Sequence, residues 1–177
     1  MTLVVLLGGA RAGKSRLAVE LGQRWKGPVA YVATAEAGDD EMARRIEQHR
    51  AQRPREWTTI EEPLGLRDVL AGLDGGTLAV LDCLTLWVAN LMARGDPVLA
   101  EAEAVAALAA ERQVPVIAVT NEVGLGIVPA SPLGREYRDV LGSVNATFVR
   151  RASDSAFVVA GRPLALGSDW FPEALRD

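Results

Sequence analysis

Five short apolar runs punctuate the chain, and between them the apolar positions spread out to a helical spacing. The first run, TLVVLL, is continuous, rich in β-branched residues and ended by Gly8-Gly9, which fits a strand buried on both faces. KSRLAVELGQRW follows with Leu17, Leu21 and Trp25 four residues apart, the repeat of an amphipathic helix, until Gly27-Pro28 breaks it. VAYVAT, TLAVLD, VPVIAVT and AFVVAG repeat the strand pattern. Helical stretches lie between them: Asp39 to about Arg53, LGLRDVLAGL, LTLWVANLMARG, DPVLAEAEAVAALAAER and LGREYRDVLGSVNATFVRRA. Asp96 is expected to cap the fourth of these, with Pro97 in its first turn.

Apolar strands alternating with helices predict an α/β protein: a mainly parallel sheet covered by helices on both faces, in three layers. NEVGLGIVPASP breaks the alternation. It follows a strand, carries two glycines and two prolines, and is expected to expose Ile127 and Val128 in a loop. Loops at the carboxyl ends of parallel strands are where such folds place ligands.

With 177 residues and 49% hydrophobic content, the chain is expected to form one soluble domain over 1–177. No apolar run approaches the roughly 20 residues that cross a bilayer. The N-terminal patch lacks a basic lead-in and is too short for a signal peptide. Cys83 is the only cysteine, which excludes an internal disulfide and a cysteine metal cluster and leaves the cytoplasm as the expected location. A net charge of −4 argues against a nucleic-acid partner. All nineteen basic side chains except Lys14 and Lys26 are arginine, so Lys14 stands where a slim ammonium on a flexible stem is wanted.

GGARAGKS gives that lysine a role. It matches G-x-x-x-x-G-K-[ST], with a strand before it and a helix after it. The glycines let successive N–H groups turn towards phosphate oxygens, and the helix adds the positive end of its dipole. Gly8, Gly9, Ala10, Arg11, Ala12, Gly13, Lys14 and Ser15 are therefore expected to bind a triphosphate, with the Ser15 hydroxyl on Mg2+. Asp82, ending TLAVLD, is placed to orient the water shell of that metal. The expected architecture is thus a P-loop NTPase fold of the RecA-like type. The N-K-x-D signature of guanine-reading GTPases is missing, since the comparable strand ends in TNEV, and DVLG at 139–142 lies inside a helical stretch.

The lone histidine, His49, sits among Arg44, Arg45, Arg50, Arg53 and Arg55. On a helix, Met42, Ile46 and His49 would share one face, so His49 could be the polar edge of a packing stripe. The arginines point elsewhere, because they can neutralise a triphosphate. A neutral imidazole can attack the α-phosphorus and release pyrophosphate, or act as a general base in a kinase reaction. The residues alone do not separate the two roles.

Several ordered blocks resemble one family. GGARAGKS, DDEMARRIEQHRAQRPREW, TTIEEP, TNEVGLGIVP and LGREYRDVLGSVN are similar, nearly end to end, to the bifunctional adenosylcobinamide kinase/adenosylcobinamide-phosphate guanylyltransferase family of cobalamin biosynthesis. Ala12 stands where serine is common, and Ser155 and Ala156 where an acidic and a β-branched residue are usual. The resemblance implies two reactions. ATP or GTP would phosphorylate adenosylcobinamide, and GMP would then pass from GTP through a guanylylated histidine to that phosphate. A plain P-loop small-molecule kinase is the competing reading. The nucleotide-carrying histidine of the family falls on His49. Its nucleotide-contacting segments fall on Glu36, Ala37 and Gly38, on Arg53, Pro54, Arg55 and Glu56, and on Glu62, with Asp82 in the metal and nucleotide site. The resemblance also implies a homotrimer, in which the loop at 124–132 could serve a neighbouring subunit or the corrinoid.

Overall fold

The computed structural model describes residues 3–36, 38, 40–51 and 53–167, with the side chains at 40–42, 45 and 48 outside the description. The expected contributions of Ala37, Met42 and the Arg45 side chain lie outside it too. The elements in chain order are β1 (Leu3–Gly8), α1 (Lys14–Gly22), β2 (Val29–Ala33), α2 (Asp40–Ala51), β3 (Thr58–Glu61), α3 (Leu66–Gly72) and β4 (Leu78–Asp82). They continue with α4 (Leu84–Arg94), α5 (Val98–Glu111), β5 (Val116–Val119), α6 (Pro132–Arg151), β6 (Asp154–Val159) and β7 (Arg162–Ala165).

All strands but β7 run parallel in one sheet of order β3-β2-β4-β5-β1-β6-β7. Side chains alternate between the faces, so β1, β2, β4 and β5 each feed two cores. Leu3, Val5 and Leu7 of β1, Ala79 and Leu81 of β4, and Val116 and Ala118 of β5 pack with α3, α4, α5 and α6. Leu6, Tyr31, Val80, Ile117 and Val119 point the other way, towards Ala18 and Leu17 of α1. This is the expected three-layer arrangement, with the heavier helical layer on the first face.

Two strands escaped the sequence pattern for the same reason. β3 is an edge strand with Thr58, Thr59 and Glu61 exposed, and β7 is exposed along its whole length and carries Pro163. An edge strand needs no apolar face, and polar side chains or proline on it discourage pairing with a further strand. The two-residue turn between β6 and β7 has positive φ at both Ala160 (50°) and Gly161 (77°), the twist a tight hairpin requires. The expected capping by Asp96 does not occur. Pro97 occupies the cap position with no side-chain bond, while the Asp96 carboxylate pairs with Arg94 at 3.6 Å. Ser131, by contrast, does cap α6, accepting from the Gly134 N–H at 3.1 Å.

Trp87 ties α4 to the segment before α3. It is fully buried, and its indole N–H donates to the Leu64 carbonyl at 2.7 Å, fixing the segment that leads into α3. Replacing Trp87 by Phe keeps an aromatic ring but strands that carbonyl. Urea unfolding should show a loss of about 1–3 kcal/mol with an unchanged denaturant slope.

Candidate active site

The glycine turn is shaped by close approach. Gly8 has φ 151°, and a Cβ there would lie 2.3 Å from the Val158 carbonyl oxygen. Gly13, at φ 100°, would place a Cβ 3.2 Å from the Gly161 Cα, while the Gly161 N–H donates to the Ala12 carbonyl at 2.8 Å. The β6–β7 hairpin thus backs the loop, a support that the sequence pattern did not reveal. No side chain caps α1, so its first-turn N–H groups and its dipole are left to an anion. Lys14 is buried, and its Nζ donates to the Gly9 carbonyl at 2.7 Å. Burial holds its pKa below the ordinary 10.5, against the opposing influence of Cys83 and Asp82.

Asp82 ends β4 beside Ala33 of β2 and Val119 of β5. Its parity turns the carboxylate towards α1, the face that Tyr31 shares, and the Tyr31 hydroxyl donates to Asp82 Oδ2. The backbone beyond Asp82 is locked from both sides. The Thr34 hydroxyl donates to the Cys83 carbonyl at 2.7 Å and accepts from the Cys83 N–H at 2.8 Å. Asn90 then donates to the Thr34 and Pro63 carbonyls at 2.9 and 3.1 Å. Burial, reinforced by Asp82, pushes the Cys83 thiol up to about 11, so at neutral pH it is no nucleophile.

Next to the P-loop, a cleft of about 250 Å³ is lined by Ser15, Arg16, Val19 and Glu20 of α1, by Tyr31, and by His49 and Arg53. The last turn of α2 therefore places His49 on the same cleft as Ser15, the residue expected to hold the metal. Arg53 stacks on Tyr31, its Cζ 3.9 Å from the ring centroid, and its Nε is buried with no partner among the described residues. Trp57 secures this segment, its ring 6.4 Å from that of Tyr31 and filling the space that a Cβ on Gly22 would take.

The arginine cluster does not converge as expected. Among the described side chains of the cluster, Arg53 alone lines the cleft; Arg50 pairs with Glu61 and, at 3.6 Å, with Glu47, while Arg44 and Arg55 are exposed. Of the remaining expected contacts, Glu36, Gly38 and Glu56 are exposed and Pro54 is half-buried. Glu62 has local work, its Oε1 accepting from the N–H groups of Leu64 and Gly65 at 3.0 and 2.8 Å at the entry to α3. Sequence reasoning missed Tyr31, Arg16, Val19 and Glu20. Only Tyr31 left a signal, as the one residue with a polar tip inside VAYVA, where a buried hydroxyl needs a partner.

The donor set fits magnesium. No group of three or more His, Cys, Asp or Glu side chains among the described residues could hold a metal alone. Mg2+ on a triphosphate needs no such cage, since it keeps several waters and binds one or two protein oxygens plus phosphate. Ser15 and Asp82 are oxygen donors of that kind.

The family model described as cobinamide kinase / cobinamide phosphate guanyltransferase matches residues 4–166. The chain is 45% identical over 165 residues to the bifunctional adenosylcobalamin biosynthesis protein CobP of Pseudomonas aeruginosa, covering 92% of this chain and 95% of that protein. It is 37% identical over 176 residues to the bifunctional adenosylcobalamin biosynthesis protein CobU of Escherichia coli, covering 90% of this chain and 96% of that protein. Among solved structures, the RadB recombinase is similar with a TM-score of 0.52 at 19% identity, over 88% of this chain and 73% of its own. That likeness bears on the fold alone, which is the RecA-like P-loop fold.

The buried ammonium generates a pH dependence. A triphosphate prefers charged Lys14, and the free protein loses that proton at a pH below 10.5. As pH rises through that lowered value, binding must take up a proton, so affinity for inorganic triphosphate should fall. Calorimetry in buffers of different ionisation enthalpy should detect the uptake. Lys14→Arg should abolish the uptake, because a guanidinium keeps its charge.

Proposed function

The chain belongs to the cobinamide kinase / cobinamide phosphate guanyltransferase family, and from that premise we propose how its residues carry two reactions. The enzyme is a bifunctional transferase of adenosylcobalamin biosynthesis. It phosphorylates adenosylcobinamide with a nucleoside triphosphate, ATP or GTP, and transfers GMP from GTP to the phosphate so formed.

In the kinase step, the N–H groups of the glycine turn and the Lys14 ammonium hold the β- and γ-phosphates while an alcohol oxygen of the substrate attacks the γ-phosphorus. The bond to the β–γ bridging oxygen breaks, the nucleoside diphosphate leaves, and the hydroxyl proton passes to solvent. Ser15 and Asp82 would hold magnesium, which would supply neutralisation of the phosphate charge. In the guanylyl step, an imidazole nitrogen of His49 attacks the α-phosphorus of GTP. The bond to the bridging oxygen breaks, pyrophosphate leaves, and a phosphoramidate to GMP forms. A phosphate oxygen of adenosylcobinamide phosphate then displaces His49, giving adenosylcobinamide-GDP and the free imidazole. Arg53 steadies the charge that gathers on the transferring phosphoryl oxygens. The observation that carries this reading is the shared cleft, in which His49 and Arg53 meet Ser15 across the start of α1.

Adenosylcobinamide is too large for that cleft and is expected on the surface nearby. The exposed apolar side chains Leu125, Ile127, Val128 and Leu133 support either corrinoid contact or a subunit boundary in a homotrimer. A cytoplasmic location belongs to the same proposal.

Intact-mass measurement after exposure to GTP and Mg2+ should show one GMP added per chain, released by acid. His49→Asn should abolish the adduct and reduce guanylyl transfer by more than about a thousandfold, the scale of losing a covalent nucleophile. It should retain phosphorylation of adenosylcobinamide. If His49→Asn acquires GMP as readily as the wild type, the covalent role is wrong; if the wild type releases no pyrophosphate, the protein is a kinase only.

A further inference from the structure

Tyr31 has no part in the two reactions just described, yet two of their side chains are built upon it. It is 1% exposed and still contributes to the wall of the cleft that holds Ser15 and His49. Its hydroxyl donates to Asp82 Oδ2, and its ring carries the Arg53 guanidinium on one face. Phenylalanine would fill nearly the same volume at this point of β2. What the phenol adds is a donor, and a buried hydroxyl is costly unless it is paired. Burial and the neighbouring carboxylate push its pKa well above the ordinary phenol value, so it stays a donor across the working pH range.

Each contact removes a freedom that matters. A carboxylate on two rotatable bonds can turn about its last torsion, where the energy wells are broad. With Oδ2 engaged by the phenol, that torsion is set, and Oδ1 is the oxygen left for a metal's water shell. A guanidinium on a long stem is similarly loose until its plane is stacked. The buried Arg53 Nε, without a partner among the described residues, is a donor left for an anion in the cleft.

We propose that Tyr31 is a positioning residue that sets both ends of the reaction centre: its hydroxyl orients Asp82 on the magnesium side, and its ring aims Arg53 at the phosphate chain beside His49. This deepens, and rests on, the assignment of Asp82, Arg53 and His49 given above.

Two variants separate the functions. Tyr31→Phe deletes the donor and keeps the ring; Tyr31→Leu removes both. Mn2+ titration followed by electron paramagnetic resonance, on the protein–ATP complex, reads the first end; GTP binding in EDTA reads the second. Tyr31→Phe should weaken Mn2+ binding by about tenfold, the scale of losing a partner of a metal-site carboxylate, and leave metal-free GTP binding within about twofold of wild type. Tyr31→Leu should weaken both, and Arg53→Gln should reproduce its loss of metal-free GTP binding. Mn2+ binding unchanged in Tyr31→Phe would reduce the hydroxyl to a core contact and overturn the proposal. So would metal-free GTP binding unchanged in Arg53→Gln, a variant that leaves the aromatic packing intact. Wild-type guanylylation is run in parallel. Its absence would count against the His49 chemistry and not against Tyr31, since neither binding measurement needs that bond to form.

Discussion

One row of the sheet, Leu6–Val119–Asp82–Ala33–Glu61, decides what the site can contain. Residues in register across parallel strands point to the same face, so this row and the positions two residues away from it all face α1. Tyr31 lies two residues before Ala33, which is why its ring and the Asp82 carboxylate meet without any bend in β2. A slip of one residue in β4 would turn Asp82 into the apolar layer under α4 and α5 and take its carboxylate away from Tyr31. The reciprocal bonds between Thr34 and Cys83, braced by Asn90, hold that register at the end where it matters. The glycine turn begins two residues beyond Leu6, and its cradle opens towards the same side.

The charged residues of the site are held in different ways, and the differences explain the unusual use of basic residues. Lys14 lies buried in a turn where a single ammonium on a flexible stem reaches a backbone carbonyl. Arg53 sits on an aromatic face, an arrangement that favours a flat, weakly hydrated cation. Both cations give up hydration before any ligand arrives. Under the proposed assignment, that cost is recovered when phosphate oxygens replace water, and it sharpens the preference for highly charged ligands.

The strands buried on both faces were legible because their function in the fold is apolar, and so was the order of layers. The P-loop was legible because backbone geometry dictates its glycines. What escaped was whatever depends on a partner distant in sequence. Glu61 takes Arg50 away from the cleft, but β3 is polar and leaves no strand signature, so neither the strand nor the pairing could be read. The support of Gly13 by Gly161 depends on a hairpin whose second strand is wholly exposed. Asp96 had the composition of a cap, yet Arg94 lies close enough to hold its carboxylate instead. Tyr31 carried the faintest signal of all, one hydroxyl among aliphatic side chains.

The size of the cleft gives a last constraint. About 250 Å³ falls short of the roughly 300–1,000 Å³ of pockets that enclose whole organic ligands. Under the proposed assignment the phosphate chain occupies the cleft and the rest of the nucleotide lies outside. This division is physically sensible. Charge develops at phosphorus, and that is where excluding water strengthens the contacts of Arg53 and Lys14. A purine gains less from full burial, because its edge is satisfied as well by exposed polar groups. Glu36, Arg55 and Glu56 are exposed on segments flanking α2, where the proposed assignment has them read the base outside the cleft. Under the same assignment adenosylcobinamide stays outside, and only its hydroxyl, and later its phosphate, reaches the reacting phosphorus.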